Sequence, residues 1–491
     1  MESLSPDQLK AFKLIESGKN IFVTGPGGTG KSHLIRNIVK WGKYNSKEVQ
    51  VCALTGCAAL LLECGAKTIH SWAGIGLASG PSDKTISLIG KHKYKSRAWR
   101  KVDILIIDEV SMMSKKIFDI LDGIGRIARK CPTKPFGGIQ IVLSGDFYQL
   151  PPVGDQTDPD TTSFCFESLG WSEAITETVE LTTMFRQLDK LYVKALNQIR
   201  VGTIKKKSYD LLCSRVSLSC DGDIRPTMLI PMRRHAELIN NKELAKLGDA
   251  ESRTYSMENI EDNDKNKKEQ PIKPTTQFDI NEGNTTDNKT PIKQDVSDLF
   301  KSIDTESLNK IPITTEKKLK NPRKKMDDIS INREYELLRN NVMADSKVLI
   351  KVGSQVMCIA NIDMEGPFQI VNGSQGIVEK FVGDLPMVRF KDGQKRIIGY
   401  HTWNSENYSW VGVKQIPLIH AWAITIHKSQ GVTLDLAEID AGKNIFECGQ
   451  TYVALSRVRS LEGLYLSAFD IKKIKVNKKV KKYYESIKII S

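Results

Sequence analysis

The sequence predicts an α/β protein built on parallel sheets flanked by helices, with a smaller β unit late in the chain. Strand-like apolar runs at residues 20–24, 49–54, 102–107 and 139–144 alternate with helical patterns up to about residue 200. This alternation is typical of a parallel sheet covered on both faces. A glycine-rich loop follows the first strand, and period-two segments with glycine turns follow residue 345. The loop indicates a ligand at the carboxyl ends of the strands, and the later segments indicate an antiparallel sheet or barrel.

Composition limits the class of protein. The chain has 491 residues, long enough for two or more domains, and its net charge of +14 favours a polyanionic partner. Its nine cysteines are scattered without a C-x-x-C pair, which argues against a zinc site and for reduced thiols. No apolar run approaches the roughly 20 residues of a membrane span, and the N-terminus does not resemble a signal peptide. We therefore expect a soluble intracellular protein with no membrane partner.

The glycine-rich loop lies in "VTGPGGTGKSHLI", residues 23–35, and fits the pattern G-x-x-x-x-G-K-[ST]. In this motif backbone N–H groups surround phosphate oxygens at the positive end of the following helix. Lys31 can reach the β and γ phosphates, and the Ser32 hydroxyl can ligate Mg²⁺. The loop therefore predicts ATP or GTP binding with Mg²⁺, through Gly25, Gly27, Gly28, Thr29, Gly30, Lys31 and Ser32.

Two later strands end in polar residues that suit hydrolysis. "VDILIIDEV" (102–110) ends in Asp108 and Glu109. An acid in the position of Asp108 can hold the hydrated Mg²⁺, and Glu109 can orient or deprotonate water. "IVLSGDFYQLPPV" (141–153) places Gln149 where it could sense the γ-phosphate. A core strand that merely ends in solvated acids is the alternative, but the loop upstream favours an NTPase.

Two arginines could stabilise charge on the γ-phosphate during hydrolysis. Arg186 lies in "LTTMFRQ" (181–187) and Arg457 in "YVALSRVRS" (452–460). An arginine directed at the γ-phosphate lowers the barrier to its transfer. Taken alone, each is better explained as a surface arginine on a helix, so their assignment depends on the order of the motifs.

That order resembles superfamily 1 DNA helicases, and in particular the Pif family, which is related to RecD-type and phage Dda helicases. The resemblance is carried by TGPGGTGKS, ALTGCAA (53–59), TIHSW (68–72), IDEVSM (107–112), LSGDFYQLPPV, LTTMFRQ, AITIHKSQG (423–431) and YVALSRVRS. It covers roughly residues 5–250 and 345–470. SGDFYQLPPV and AITIHKSQG are its most specific motifs.

The resemblance implies two RecA-like P-loop NTPase domains with ATP in the cleft between them. The first would span residues 1–185, with a small wedge insertion near 79–100. The second would comprise 186–250 and 415–475, with an SH3-like β domain inserted at 345–414. Residues 251–330, rich in Asn, Asp, Lys, Thr, Ser and Pro, predict a disordered insertion with a short helix near 296–303, and 476–491 a basic tail.

The resemblance also implies site residues beyond the first domain. Arg457, Gln430 and Gly431 would approach the phosphates from the second domain, and Arg186 would act from the hinge. Gln8 matches the position that reads adenine, which favours ATP as the nucleotide.

DNA contacts follow from the same resemblance. Thr55, His70 and His427 match positions that line the single-strand groove, and Thr and His can donate to phosphate oxygens. Trp72 and Trp422 could stack on bases, with a core aromatic as an equal alternative for each. The basic stretch "KKIKVNKKVKKYY" could grip phosphate, act as a localisation signal or form a solvated helix face, which is favoured.

These observations together predict an ATP-dependent DNA helicase, a monomer, that moves 5′ to 3′ on single-stranded DNA in replication, repair or recombination. Its partners would be single-stranded and forked DNA, and replication or repair proteins could bind residues 251–330, although a tolerated loop expansion is favoured there. An RNA-preferring translocase of the same fold and an ATP-switched DNA-binding scaffold stay open. A P-loop kinase would leave the late motifs unexplained.

Overall fold

The computed structural model describes residues 4–261 and 328–490, apart from residues 77, 79, 221, 363–368, 406, 407 and 409. The elements up to residue 180 are α1 (Pro6–Glu16), β1 (Ile21–Thr24), α2 (Lys31–Tyr44), β2 (Val49–Ala53), α3 (Gly56–Leu61), β3 (Lys67–Thr68), α4 (Ile69–Ala73), α5 (Ser82–Gly90), α6 (Arg97–Lys101), β4 (Ile104–Asp108), α7 (Lys115–Ala128), β5 (Gln140–Ser144), α8 (Pro159–Thr162), α9 (Trp171–Ala174) and β6 (Glu177–Glu180).

The later elements belong to a second parallel sheet, to several antiparallel sheets and to the C-terminus. They are α10 (Lys190–Arg200), α11 (Lys206–Cys213), β7 (Thr227–Ile230), α12 (Arg233–Lys246), β8 (Ser252–Ser256), β9 (Glu258–Glu261), α13 (Asp328–Asn341), β10 (Lys347–Lys351), β11 (Gln355–Cys358), β12 (Gln375–Val382), β13 (Leu385–Phe390), β14 (Lys395–Ile397), β15 (His401–Asn404), β16 (Val411–Gln415), β17 (Leu418–His420), β18 (Ala423–Thr425), β19 (Ala437–Ala441), α14 (Gln450–Leu455), β20 (Leu464–Phe469), α15 (Lys478–Ser486) and β21 (Ile489–Ile490).

The first domain is built on a parallel sheet with the strand order β21-β6-β1-β5-β4-β2-β3. The strand before the glycine-rich loop, β1, lies near the centre, where Ile21 pairs with Val142 on one side and Glu177 on the other. The four strands predicted from apolar runs are β1, β2, β4 and β5, so that prediction is confirmed. The loops after β1, β4 and β5 consequently meet at one edge of the sheet.

Strand β4 shows why these runs are continuously apolar. Its five residues are all buried, because helices cover both faces of the sheet. Leu105 and Ile107 pack with Phe118 of α7 in one core. Ile104 and Ile106 pack on the opposite face, in a core that contains Ile38 of α2. The carboxyl end of β4 is thereby held between two packed layers.

A second parallel sheet has the strand order β18-β7-β19-β20. The long segment between β7 and β18 contributes no strand to it. Helix α14 follows β19, and Arg457 lies two residues beyond its C-terminal end. The prediction of two parallel-sheet domains is confirmed by these two sheets.

The segment between β7 and β18 forms antiparallel sheets, as the period-two pattern predicted. The largest has the order β14-β13-β12-β11-β17, and smaller sheets pair β10 with β8 and β16 with β15 and β9. Strand β17 extends this region to residue 420, beyond the predicted boundary at 414. That its core sheet is SH3-like stays a prediction.

The predicted start of the disordered insertion was wrong. Strand β8 pairs with β10, and β9 pairs with β16, so residues 252–261 belong to the antiparallel sheets. Their polar side chains misled the sequence prediction, because edge strands of a sheet with one solvated face bury few of them. Residues 262–327, including the predicted helix near 296–303, lie outside the described residues.

The predicted basic tail at 476–491 contains the helix with a solvated face that the sequence favoured, since Lys479, Lys481 and Lys482 of α15 are exposed, but its other face packs on the first domain. Val480 is buried in the core of the first domain, where Tyr483 and Tyr484 pack against the same cluster. These apolar positions, spaced i, i+3 and i+4, give α15 one buried face. Strand β21 then pairs in parallel with β6 and so adds an edge strand to the first sheet. Among the described residues, no helix combines the length and apolar composition that crossing a membrane would require.

Candidate ATPase site between the two parallel sheets

A cavity of about 760 Å³ lies where the glycine-rich loop faces the second parallel sheet. The predicted site residues that line it are Gly27, Gly28, Gly30, Lys31, Ser32, Asp108, Glu109, Gln149, Arg186, Gly431 and Arg457. They come from both parallel-sheet domains and from the segment that joins them. The structure therefore brings together most of the residues that the motifs singled out.

The glycine-rich loop packs too tightly for side chains. Gly30 has φ +80° at the N-terminus of α2, and a Cβ there would lie 2.4 Å from the Gln8 Nε2 atom. Lys31 Nζ donates to the carbonyl oxygens of Gly25 at 2.7 Å and Pro26 at 3.0 Å. Burial lowers the Lys31 pKa, while the carboxylates of the site oppose that effect. The amine is thus preorganised beside the loop that would hold phosphate.

The two acids at the carboxyl end of β4 differ in their surroundings. Asp108 accepts a hydrogen bond at Oδ1 from Ser144 Oγ at 2.7 Å. Glu109 takes the left-handed conformation, with φ +56°, and accepts at Oε2 from Gln430 Nε2 at 3.2 Å. Burial, together with the Asp108 charge, raises the pKa of Glu109 to about 7. A carboxyl group with that pKa can accept a proton from water near neutral pH.

Both arginines approach the loop, Arg457 from the second domain and Arg186 from the segment that joins the domains. A Cβ on Gly27 would lie 3.2 Å from Arg457 Nη2 and 3.6 Å from Arg186 Nη1. Arg186 Nη1 donates to the Ser456 carbonyl at 3.2 Å, and Arg457 Nη2 donates to the Ser456 hydroxyl at 2.8 Å. Burial, followed by repulsion from Arg457, lowers the pKa of Arg186 to about 9. Two buried cations held this close are suited to an anionic ligand.

Two further residues join the domains here, and the sequence reasoning missed them. The Tyr452 hydroxyl accepts a hydrogen bond from the Gly27 backbone N–H at 2.9 Å. Gln187 Nε2 donates to the carbonyls of Ser456 and Val458, both at 2.9 Å. Both residues stand inside quoted motifs, Gln187 next to Arg186 and Tyr452 in the same motif as Arg457, so position in the motif was the available signal.

A buried ion pair, also missed, lies behind the cavity. Arg200 of α10 donates through Nε and Nη2 to the two carboxylate oxygens of Asp146 at 2.9 and 3.0 Å. Asp146 is completely buried, and Arg200 also contacts Glu180 at 3.2 Å and covers the Tyr148 ring at 4.9 Å. Asp146 belongs to the loop that ends in Gln149. No local pattern indicates Arg200, because its partner lies 54 residues away.

Gln149 and Gln8 occupy different environments. Gln149 is buried, lines the cavity and donates its backbone N–H to the Asp146 carbonyl at 2.8 Å. The Gln8 amide is used within the protein: Oε1 accepts from Ser5 N at 3.0 Å, and Nε2 donates to the Gly30 carbonyl at 3.2 Å. Adenine recognition by Gln8 stays a prediction and would require this amide to exchange partners.

The residues predicted to contact DNA differ in their surroundings. Ala53 of β2 pairs with Thr68 of β3. Thr55 and His70 each follow by two residues, so both lie at the same end of these neighbouring strands. The Thr55 hydroxyl accepts from the Ala58 N–H at 3.2 Å and caps α3. His427, beyond β18, is exposed. These positions suit a surface groove, and their role in DNA binding stays a prediction.

The two tryptophans are packed in the protein. Trp422 is 8% exposed, which favours the core alternative. Trp72 is half-buried with its ring centroid 4.6 Å from that of Trp99, a fully buried residue of α6. Helix α6 belongs to the predicted wedge insertion, which also contains α5, packed on α7. Tyr94 between these helices is 71% exposed.

The donor set fits Mg²⁺. Ser32 and Asp108 both line the cavity and offer a hydroxyl and a carboxylate oxygen. Mg²⁺ is usually held by one or two protein oxygens together with substrate phosphates and water. Accordingly, the described residues contain no cluster of three or more His, Cys, Asp or Glu side chains arranged to hold a metal alone.

Comparison with known proteins decides the family. A family profile described as PIF1-like helicase matches residues 3–209. The chain is 31% identical to the ATP-dependent DNA helicase RRM3 of Saccharomyces cerevisiae, over 99% of this chain and 68% of that protein. The crystal structure of Pif1 helicase from Candida albicans matches with a TM-score of 0.67 and 31% identity over 99% of each chain. This chain belongs to the PIF1-like helicase family.

Other relatives agree with that membership. The ATP-dependent DNA helicase PIF1 of Danio rerio is 33% identical over 99% of this chain, which spans 64% of the zebrafish protein's length. The structure of Bacteroides sp Pif1 in complex with ADP-AlF4 matches with a TM-score of 0.72 and 26% identity, covering 99% of this chain and 97% of that one. The two parallel-sheet domains are thus the two RecA-like domains of a PIF1-like helicase.

Proposed function

We propose that this PIF1-like protein is an ATP-dependent DNA helicase that moves 5′ to 3′ along single-stranded DNA and unwinds duplex DNA. One observation carries the proposal: Lys31, Glu109, Arg186 and Arg457, drawn from both sides of the cleft, line one cavity. A site shared between two domains makes ATP binding and domain closure depend on each other. That dependence is what a motor requires.

ATP is the proposed substrate. The Bacteroides relative was solved with ADP-AlF4, and the curated relatives are named as ATP-dependent helicases. Mg²⁺, held by Ser32 and Asp108, would neutralise phosphate charge when bound. Lys31 would leave the Gly25 and Pro26 carbonyls to pair with phosphate oxygens.

Glu109 is the proposed base for the attacking water. Its carboxylate is held by Gln430 of the second domain, so the base is oriented only when the domains are close together. Arg186 and Arg457 are anchored on Ser456, which places both guanidinium groups beside the loop. Gln149 would report the loss of the γ-phosphate to the Asp146 loop. Opening of the cleft would break the hydrogen bonds that Gln430, Ser456 and Tyr452 make across it.

Single-stranded and forked DNA are the proposed partners. The structure of a Bacteroides Pif1 with 26% identity is bound to ssDNA, and another structure, with 27% identity, concerns DNA unwinding at forked dsDNA by two coordinating Pif1 helicases. The net charge of +14 is consistent with a phosphate backbone as ligand. Thr55, His70 and His427 are the side chains that we expect along the strand.

Steady-state ATP hydrolysis with no nucleic acid, single-stranded DNA and single-stranded RNA tests the proposal. We expect DNA to stimulate turnover more than RNA, and Lys31→Ala and Glu109→Gln to abolish the stimulated rate. Greater stimulation by RNA would support the RNA-preferring translocase. Tight DNA binding with negligible turnover would instead support the ATP-switched scaffold.

A further inference from the structure

The C-terminal segment, defined as residues 474–490, runs from the second RecA-like domain onto the first. The Lys475 carbonyl accepts a hydrogen bond from the N–H of Gly449, the residue before α14, at 3.1 Å. Helix α15 then buries Val480 in the first-domain core, and Ile489 of β21 pairs with Thr178 of β6. The chain therefore connects the two domains a second time, in addition to the segment between β6 and α10.

Tyr484 is the residue of this segment that reaches toward the ATPase loops. Its hydroxyl shares a hydrogen bond with the Thr24 hydroxyl at 2.6 Å and accepts another from the Phe147 N–H at 3.2 Å. Its ring stacks on Tyr148, with centroids 4.7 Å apart and planes inclined by 8°. The Arg200 guanidinium lies 5.8 Å from the centroid of the same ring.

The partners of the Tyr484 side chain lie in or next to two loops of the ATPase site. Thr24 ends β1 and immediately precedes Gly25, the first glycine of the phosphate loop. Phe147 and Tyr148 lie in the loop between Asp146 and Gln149. One hydroxyl therefore joins the strand that carries the phosphate loop to the loop that carries Gln149. Tyr484 itself does not line the cavity.

We propose that Tyr484 is a positioning residue for ATP hydrolysis, which sets the Gln149 loop relative to the phosphate loop from the C-terminal segment. The inference rests on the proposed ATPase function and adds a residue to it. Because Tyr484 acts through groups that contact the nucleotide, its loss should weaken alignment in the transition state more than ground-state binding.

The neighbouring Tyr483 supplies a matched control. It stands on the same helix, and its ring stacks on Phe166 with centroids 4.3 Å apart. Its buried hydroxyl lies near the Trp171 side chain and makes no hydrogen bond of good geometry among the described residues. Tyr483→Phe removes the same atom as Tyr484→Phe from the same helix. The Tyr483 ring contacts Phe147 edge-on, with centroids 5.5 Å apart, and the substitution keeps that ring, so only Tyr484→Phe removes hydrogen bonds to β1 and to the Gln149 loop.

The test compares kcat and KM for ATP in the full-length wild type, Tyr484→Phe and Tyr483→Phe at saturating single-stranded DNA. We expect Tyr484→Phe, which removes both hydrogen bonds of the hydroxyl, to lower kcat by about five- to thirtyfold, the equivalent of one to two lost hydrogen bonds, and to change KM by less than about twofold. Tyr483→Phe should keep the wild-type kcat. Equal kcat values for the two variants would overturn the inference.

A second measurement separates positioning from simple destabilisation. If Tyr484 acts through Gln149, adding Tyr484→Phe to Gln149→Ala should lower kcat no further, whereas multiplying effects would overturn the inference. Should Tyr484→Phe fail to fold, Thr24→Val removes the shorter of its two hydrogen bonds from the other side, and a fall in kcat of about fivefold is expected. A wild type that hydrolyses no ATP would refute both the proposed function and this inference. An active wild type with an unaffected Tyr484→Phe would refute this inference alone.

Discussion

The buried ion pair of Asp146 and Arg200 leads to a prediction about thermal stability. Substitution of Asp146 should lower the melting temperature when Arg200 is present and raise it when Arg200 is replaced. Asp146 is completely buried and receives both Arg200 hydrogen bonds, so Arg200→Met would leave a carboxylate without its cation. Asp146→Asn would leave Arg200 with Glu180, which contacts its Nη1 at 3.2 Å, and could keep the bond from the Tyr148 N–H. The first change should therefore cost more than the second.

The magnitudes follow from the burial. Breaking a buried ion pair by removing one partner costs about 3–5 kcal/mol, whereas removing both charges is often close to neutral. If each kcal/mol of lost stability lowers the melting temperature by about 2 °C, Arg200→Met should lower it by about 6–10 °C. Asp146→Asn should lower it by less in the wild type and raise it in the Arg200→Met background.

Thermal unfolding of the four proteins, without nucleotide, measures this cycle. Arg233→Met is the surface control, since the Arg233 side chain is 75% exposed and pairs with Glu237 one turn further along the same helix. It should shift the melting temperature by about 2 °C or less. The reasoning would be refuted if Asp146→Asn lowered the melting temperature equally in both backgrounds, because the pair would then carry no coupling.

The remaining predictions concern the cleft. Because an ionised Glu109 is the base and its pKa is raised to about 7, kcat/KM with excess Mg²⁺ should rise about tenfold from pH 6 to pH 8, and a flat profile would contradict its role. Arg457→Ala should lower kcat by about a thousandfold or more, whereas the control Arg233→Ala should keep the wild-type kcat. A fall in kcat of less than about tenfold would show that Arg457 does not stabilise the transition state. Chelation of Mg²⁺ by EDTA should stop hydrolysis reversibly, and metal-independent turnover would exclude the assigned roles of Ser32 and Asp108.

The first-domain half of the site could be predicted because each motif is local. Lys31, Glu109 and Gln149 follow separate apolar strands, and parallel strands bring their carboxyl ends to one edge. Arg186 and Arg457 could not be assigned from the residues themselves, since nothing local shows where an arginine points. Their placement depended on the order of the motifs.

Features that depend on distant partners were missed. Arg200 pairs across 54 residues, and Tyr484 bonds to Thr24 across 460 residues. The lysines of α15 indicated its solvated face but concealed its buried one, because the apolar face is only Val480, Tyr483 and Tyr484. Polar composition likewise concealed β8 and β9, whose hydrogen bonds go to strands later in the chain.

Unwinding of two partial duplexes, one with a 5′ single-stranded tail and one with a 3′ tail, tests the central claim most directly. The account predicts ATP-dependent opening of the 5′-tailed substrate alone, with no opening by Lys31→Ala. Opening of the 3′-tailed substrate alone would contradict the proposed polarity. Failure to open either one, while ATP is hydrolysed on DNA, would contradict the proposal that the cleft drives strand separation.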